Sequence, residues 1–132
     1  MIKTQMLKKK IFRGYIFSRR IEGNLIPQRV QNLVIKDYCE RHKLFFKLSA
    51  TEYKMENCYL MLKSVLKNLS SIDGIVFYSI FMLPNLKKER LSIFKSILKN
   101  KKVIRFALEE IDLKNYSNIK DIENLYLIKK NL

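Results

Sequence analysis

The sequence predicts an α/β fold: an open, mostly parallel four-stranded sheet with helices on both faces. Three observations carry this expectation. Four short apolar runs, at 11–18, 44–50, 75–80 and 103–108, have the length of buried strands. Between and after them lie four longer segments whose apolar residues recur near helical spacing. Such alternation implies parallel strands joined by right-handed crossovers, with helices covering the sheet.

The elements follow in order. Residues 11–18, Ile-Phe-Arg-Gly-Tyr-Ile-Phe-Ser, form the first strand, and residues 19–26, with Gly23 and Asn24, form a loop. Pro27 suits the first position of a helix, and Val30, Leu33, Val34, Ile35 and Tyr38 give residues 28–43 an apolar stripe. Residues 44–50 make the second strand, after which Ser49 or Thr51 is expected to cap a helix over 53–69. Met55, Cys58, Tyr59, Leu62, Val65 and Leu66 form the inner stripe expected of that helix. Asp73-Gly74 reads as a turn before the most apolar strand, and Asn85 as the cap of a third helix over 86–100. Ser117 is the expected cap of a last helix, 118–130, with a lysine pair at its C-terminal end as the helix dipole prefers.

A chain of 132 residues fits one domain and one core. We read residues 1–132 as that domain, with 1–10 as a basic N-terminal extension and 112–132 as a C-terminal helical segment. The chain is 48% hydrophobic with seven Tyr and eight Phe, which argues against disorder. No apolar run approaches the roughly 20 residues that span a bilayer. No long apolar stretch follows the basic start, so it does not read as a signal peptide. A cytoplasmic protein is expected. Cys39 and Cys58 each fall among apolar neighbours in expected helices and read as buried thiols. His42 is the one histidine, which leaves neither a zinc set nor an activating base for a nucleophilic cysteine. No glycine-rich phosphate loop or serine-elbow motif occurs, so no cofactor is expected.

The formal charge of +15 raises the question of nucleic acid. Two features weigh against it. The charge is mostly lysine and runs through the whole chain rather than along one stripe. Lys, Ile and Asn are all abundant, a bias common in AT-rich genomes.

In an open parallel sheet, ligands bind beyond the carboxyl ends of the strands. That rule selects Ser18, Arg19 and Arg20 after strand one, and Ser49, Thr51 and Glu52 after strand two. It selects Ser79 and Phe81 after strand three, and Glu109 and Glu110 after strand four. Arg19 and Arg20 beside a helix N-terminus suit a phosphate or carboxylate. Glu52 and Glu56, spaced one helical turn apart, read either as an acid–base pair or as charges softening a helix dipole. We take Glu52 and Ser18 as candidate catalytic residues. Arg19, Arg20, Gln28, Asn32, Ser49, Thr51 and Ser79 are candidate ligand-binding residues, with Gln31 on the same polar wall. No metal site is expected.

Two resemblances bear on these residues. Residues 12–111 resemble the catalytic domain of serine recombinases. Gly14-Tyr-Ile-Phe-Ser matches the family's opening strand, and the stretch from Asp73 to Glu110 matches its strand, turn, long helix and strand. The resemblance implies that fold but not its chemistry. Arg19 stands at the family's serine, with Ser18 displaced by one, and Phe17 at the preceding arginine. Phe81, Met82 and Asn85 stand at an Asp-Arg pair and a later arginine, and Glu56 stands near another. A recombinase uses those guanidiniums to hold the scissile phosphate, which Phe and Met cannot do.

The second resemblance covers most of the chain. It is similar to the sporadic carbohydrate cluster family of small bacterial proteins through "GYIFSR" from Gly14, "IPQRVQNLVIKDYC" from Ile26, "LSATEYKMENCYLML" from Leu48 and "DGIVFYSIFMLP" from Asp73. That family is named for genes lying among those of surface-polysaccharide synthesis. The resemblance implies a pathway but no reaction. The expected function is binding or processing of a sugar, phosphosugar or nucleotide sugar. The alternatives are a non-catalytic accessory protein, forming a homodimer through an exposed helix, or a nucleic-acid binder.

Overall fold

The computed structural model describes residues 9–131, so most of the basic N-terminal extension, residues 1–8, lies outside the described residues. Strands β1 (Ile11–Ile16), β2 (Phe45–Thr51), β3 (Gly74–Phe77) and β4 (Val103–Phe106) alternate with helices α1 (Gln28–Arg41), α2 (Leu60–Lys67) and α3 (Lys87–Lys99). A fifth strand, β5 (Ile111–Leu113), then precedes α4 (Asn118–Lys130). The sheet order is β2-β1-β3-β4-β5. The first four strands run parallel, and β5 lies antiparallel to β4. The expected four-stranded sheet is therefore five-stranded. Ile-Asp-Leu is too short and too mixed to stand out as a strand; Glu110, with φ of +54°, makes the tight reversal that presents it to β4.

Helices cover both sheet faces. Tyr38 of α1 accepts a hydrogen bond from Arg105, which lies over Phe12 on one face. On the other, Tyr15, Phe77 and Phe106 stack side by side across three strands beneath α2 and α3. Tyr15, Ile75, Val76, Phe77, Phe94, Ile97, Ile104 and Phe106 are fully buried and form the centre of the core. Among the described residues, no helix is long and apolar enough to cross a membrane.

Close approach requires glycine at two places. A Cβ on Gly74 would overlap the Val103 carbonyl and the Phe12 ring. One on Gly14 would overlap the Ser49 hydroxyl, beside the register shift between β1 and β2. Gly14→Ala must push Ser49 off its 2.6 Å hydrogen bond to Asn32. We expect it to cost about 1–3 kcal/mol, the range for overpacking, read as a lowered denaturation midpoint with an unchanged slope.

The second helix departs most from expectation. It begins at Leu60, not Tyr53, so Glu52 and Glu56 share no helical face and Met55 is exposed. Ser49 and Thr51 stay in β2 and cap nothing. Cys58 precedes the helix and is half-buried. The reason is Glu52, whose carboxylate accepts from the backbone N–H groups of Met61 (3.0 Å) and Leu62 (3.1 Å), thereby capping the helix from outside it. The intervening residues loop out, with Asn57 at φ +58°. Two other expected caps also fail. Leu86, not Asn85, occupies the N-cap of α3, and Asn85 instead accepts from the Tyr126 hydroxyl. Ser117 makes no capping bond, while Asn118 accepts from the N–H groups of Lys114 and Asn115.

Among the described residues, β2 is the outermost strand on its side. Phe45 and Leu48 on it are exposed, Leu48 at 82%, with Lys47 between them.

Candidate functional site

The parallel strands end beneath a cleft of about 550 Å³. The β1 exit supplies Phe17, Ser18, Arg19 and Arg20. The loop between β2 and α2 supplies Lys54, Glu56, Asn57 and Tyr59. Phe81, Leu83 and Asn85 come from the segment after β3, and Lys130 from the end of α4. Four cations therefore line the cleft, against the carboxylates of Glu22 and Glu56. Lys130 is paired with Glu22.

Gln31 fixes where β1 stops. It is fully buried on α1; its Oε1 accepts from the Phe17 N–H, and its Nε2 donates to the Phe17 and Ile26 carbonyls, all at 2.9 Å. A single side-chain amide thus prolongs the sheet by one residue. Beyond it, Ile21 and Asn24 pair across a tight turn in which Glu22 and Gly23 both have positive φ.

Arg19 is the best-positioned cation. Its guanidinium lies 4.0 Å from the Phe17 ring centre and 5.1 Å from that of Tyr59. Its Nη1 donates to the carbonyls of Tyr53 (2.9 Å) and Cys58 (3.0 Å). Among the described residues, no carboxylate pairs with it. Burial raises the Tyr59 phenol above the ordinary tyrosine range, although Arg19 opposes the shift. Arg20 is exposed and donates to the Gly23 carbonyl.

The other residues selected from the sequence are engaged elsewhere. Ser18 lines the cleft, but its hydroxyl donates to the Glu52 carbonyl at 2.7 Å. Glu52 is 1% exposed, and its carboxylate accepts from the Tyr15 hydroxyl and from three backbone N–H groups, those of Tyr53, Met61 and Leu62. Burial, and then the Glu52 carboxylate, raise the Tyr15 phenol far above the usual range, which keeps it a donor. Ser79 is buried and donates to Glu109 at 2.8 Å. Asn32 and Ser49 bond to each other, Gln28 is exposed on α1, and Thr51 is half-buried at the end of β2; none of these lines the cleft. The structure thus brings together Ser18, Arg19, Arg20 and Phe81 out of the residues selected at the strand ends. It adds Lys54, Asn57, Tyr59 and Lys130. Lys54 and Asn57 follow a strand end, a signal the sequence offered, but the expectation of a helix there hid their direction. Among the described residues, no three His, Cys, Asp or Glu side chains cluster as a metal site would need.

No protein-family model and no characterised sequence matches the chain. Solved structures do. The N-terminal catalytic domain of the TP901-1 integrase superposes with a TM-score of 0.64 at 18% identity, covering 89% of this chain and 94% of that one. A resolvase-family site-specific recombinase from Streptococcus pneumoniae also gives 0.64, at 11% identity, covering 91% and 89%. The fold is that of a serine recombinase catalytic domain. At these identities the likeness extends to the resolvase-like architecture and not to activity.

Proposed function

We propose that the resolvase-like chain binds a small anionic carbohydrate, a phosphosugar or nucleotide sugar, in the cleft at the strand ends. Its place is cytoplasmic surface-carbohydrate biosynthesis, without recombinase chemistry. The observation that carries this is Arg19: a guanidinium set against the Phe17 and Tyr59 rings and free of any carboxylate among the described residues, in a cleft whose four cations outnumber its two carboxylates. A planar cationic fork in such a setting suits a phosphate. The resemblance to the sporadic carbohydrate cluster family supports the sugar and the pathway. Phe17, Phe81 and Met82, which stand where the recombinase pattern has charged residues, support the loss of strand-cleaving chemistry. In this reading Arg19 and Arg20 take the anion and Ser18 lies beside it. Glu52 is a positioning residue that holds Tyr15, Ser18 and the start of α2.

The test is a thermal-shift screen with phosphosugars and nucleotide sugars. A ligand at 100 times its Kd adds about 2.7 kcal/mol, which is readily seen. Arg19→Ala should weaken the best ligand about 10- to 100-fold, the cost of one charge-assisted contact, read as the ligand-induced shift from the variant's own unliganded Tm, because Arg19 also ties down the Tyr53 and Cys58 carbonyls. A folded protein that no such compound stabilises would overturn the reading.

A further inference from the structure

A second hollow lies against the cleft. It is a groove of about 480 Å³ between α2 and α3, floored by Leu62, Leu66, Pro84 and Ile93. Asn57 and Tyr59 border both spaces. The segment 83–85 lies between them: Leu83 and Asn85 face the cleft and Pro84 the groove. The two spaces differ in chemistry. The cleft is edged mainly by arginine and lysine, while the groove has an apolar floor with a mixed polar rim of Lys63, Lys67, Glu89, Ser92 and Ser96. Lysines placed this way lay their stems on apolar surface and keep their ammonium groups in water.

We propose that the site takes an amphiphilic phosphosugar: its phosphate sits at Arg19 with the sugar in the cleft, and a single apolar chain, the second substituent on the phosphate, crosses Tyr59 into the groove between α2 and α3. The inference rests on the anion-binding reading of the cleft and extends it to the ligand's other end. Charge complementarity fixes the head, and the abutting groove fixes the direction of the tail.

Inorganic phosphate and butyl, hexyl and octyl phosphate, all used as monomers, separate the two claims by calorimetry. Each buried methylene is worth about 0.8 kcal/mol, so partial burial of the four added between butyl and octyl predicts at least about tenfold tighter binding. Ser92 is an exposed α3 residue lining the groove, so Ser92→Trp should fill it without touching the core. That variant should abolish the chain-length effect and leave phosphate affinity unchanged. Equal affinities for butyl and octyl phosphate, each sensitive to Arg19→Ala, would overturn the amphiphile and leave the anion site standing. An octyl effect that survives Ser92→Trp would also overturn it, by placing the chain elsewhere. If no phosphate binds, or Arg19→Ala changes nothing, both readings fall.

Discussion

Replacing Arg90 with methionine is expected to cost about 3–5 kcal/mol, the range for breaking a buried ion pair. Arg90 on α3 and Glu123 on α4 have side chains only 3% and 8% exposed. The guanidinium meets the carboxylate through two bonds, Nε to Oε2 at 2.7 Å and Nη2 to Oε1 at 2.9 Å. Its Nη1 donates to the Pro84 and Asn85 carbonyls, and Tyr126 lies 4.1 Å from its centre. The bonded carboxylate pushes the Arg90 pKa upward, so the guanidinium is charged at every working pH. Methionine fills much of the space but leaves the Glu123 carboxylate buried without its cation, and that desolvation cost dominates. The double variant Arg90→Met/Glu123→Leu removes both charges and should lose much less than Arg90→Met alone. Urea denaturation of the set checks this. A double variant as unstable as the single would mean that packing, not charge, holds α4.

The second large effect is expected at Glu52. Glu52→Ala leaves the Tyr15 hydroxyl and the N–H groups of Tyr53, Met61 and Leu62 without their acceptor, in a site 1% exposed. Buried unpaired donors cost about 1–3 kcal/mol each. Water reaching the cleft side will recover part of that, so a total of about 3–5 kcal/mol is expected. Glu52→Gln should fall between, because one amide oxygen still accepts while its NH₂ faces donors. Amide hydrogen exchange gives a local readout: Met61 and Leu62 should lose protection in Glu52→Ala before the sheet does. Unchanged protection there would show that α2 does not depend on this cap.

Both residues show what the sequence made legible and what it did not. The parallel strands fall where their apolar runs place them, because burial of a strand is written in local composition, and α4 ends on the lysine pair expected at its C-terminus. Arg90–Glu123 is a pairing across 33 positions, and nothing local distinguishes those two residues from other charges on their helices. The late start of α2 has the same origin. A single carboxylate, nine positions before Met61, decides which N–H group opens the helix. α1 shows that apolar spacing can mislead. Val30 and Leu33 are exposed, while Gln31 is fully buried because its amide completes β1. In the cleft, the strand-end rule found Ser18, Arg19, Arg20 and Phe81. It could not find Lys130, which arrives from the far end of the chain, or know that Glu52 and Ser79 are occupied by hydrogen bonds.

The outer edge of β2 has a consequence for how copies of this protein coexist. A strand that is terminal among the described residues, with Phe45 and Leu48 exposed, is a template on which another chain can add. Lys47, between those two side chains, guards the edge locally. The net charge of +15 does the same over a distance, through repulsion between molecules. That protection reaches only as far as the ionic atmosphere allows, about 10 Å at 0.1 M salt. The lysines that make the chain resemble a nucleic-acid binder are thus expected to set its colloidal behaviour, with self-association rising as salt screens the charge.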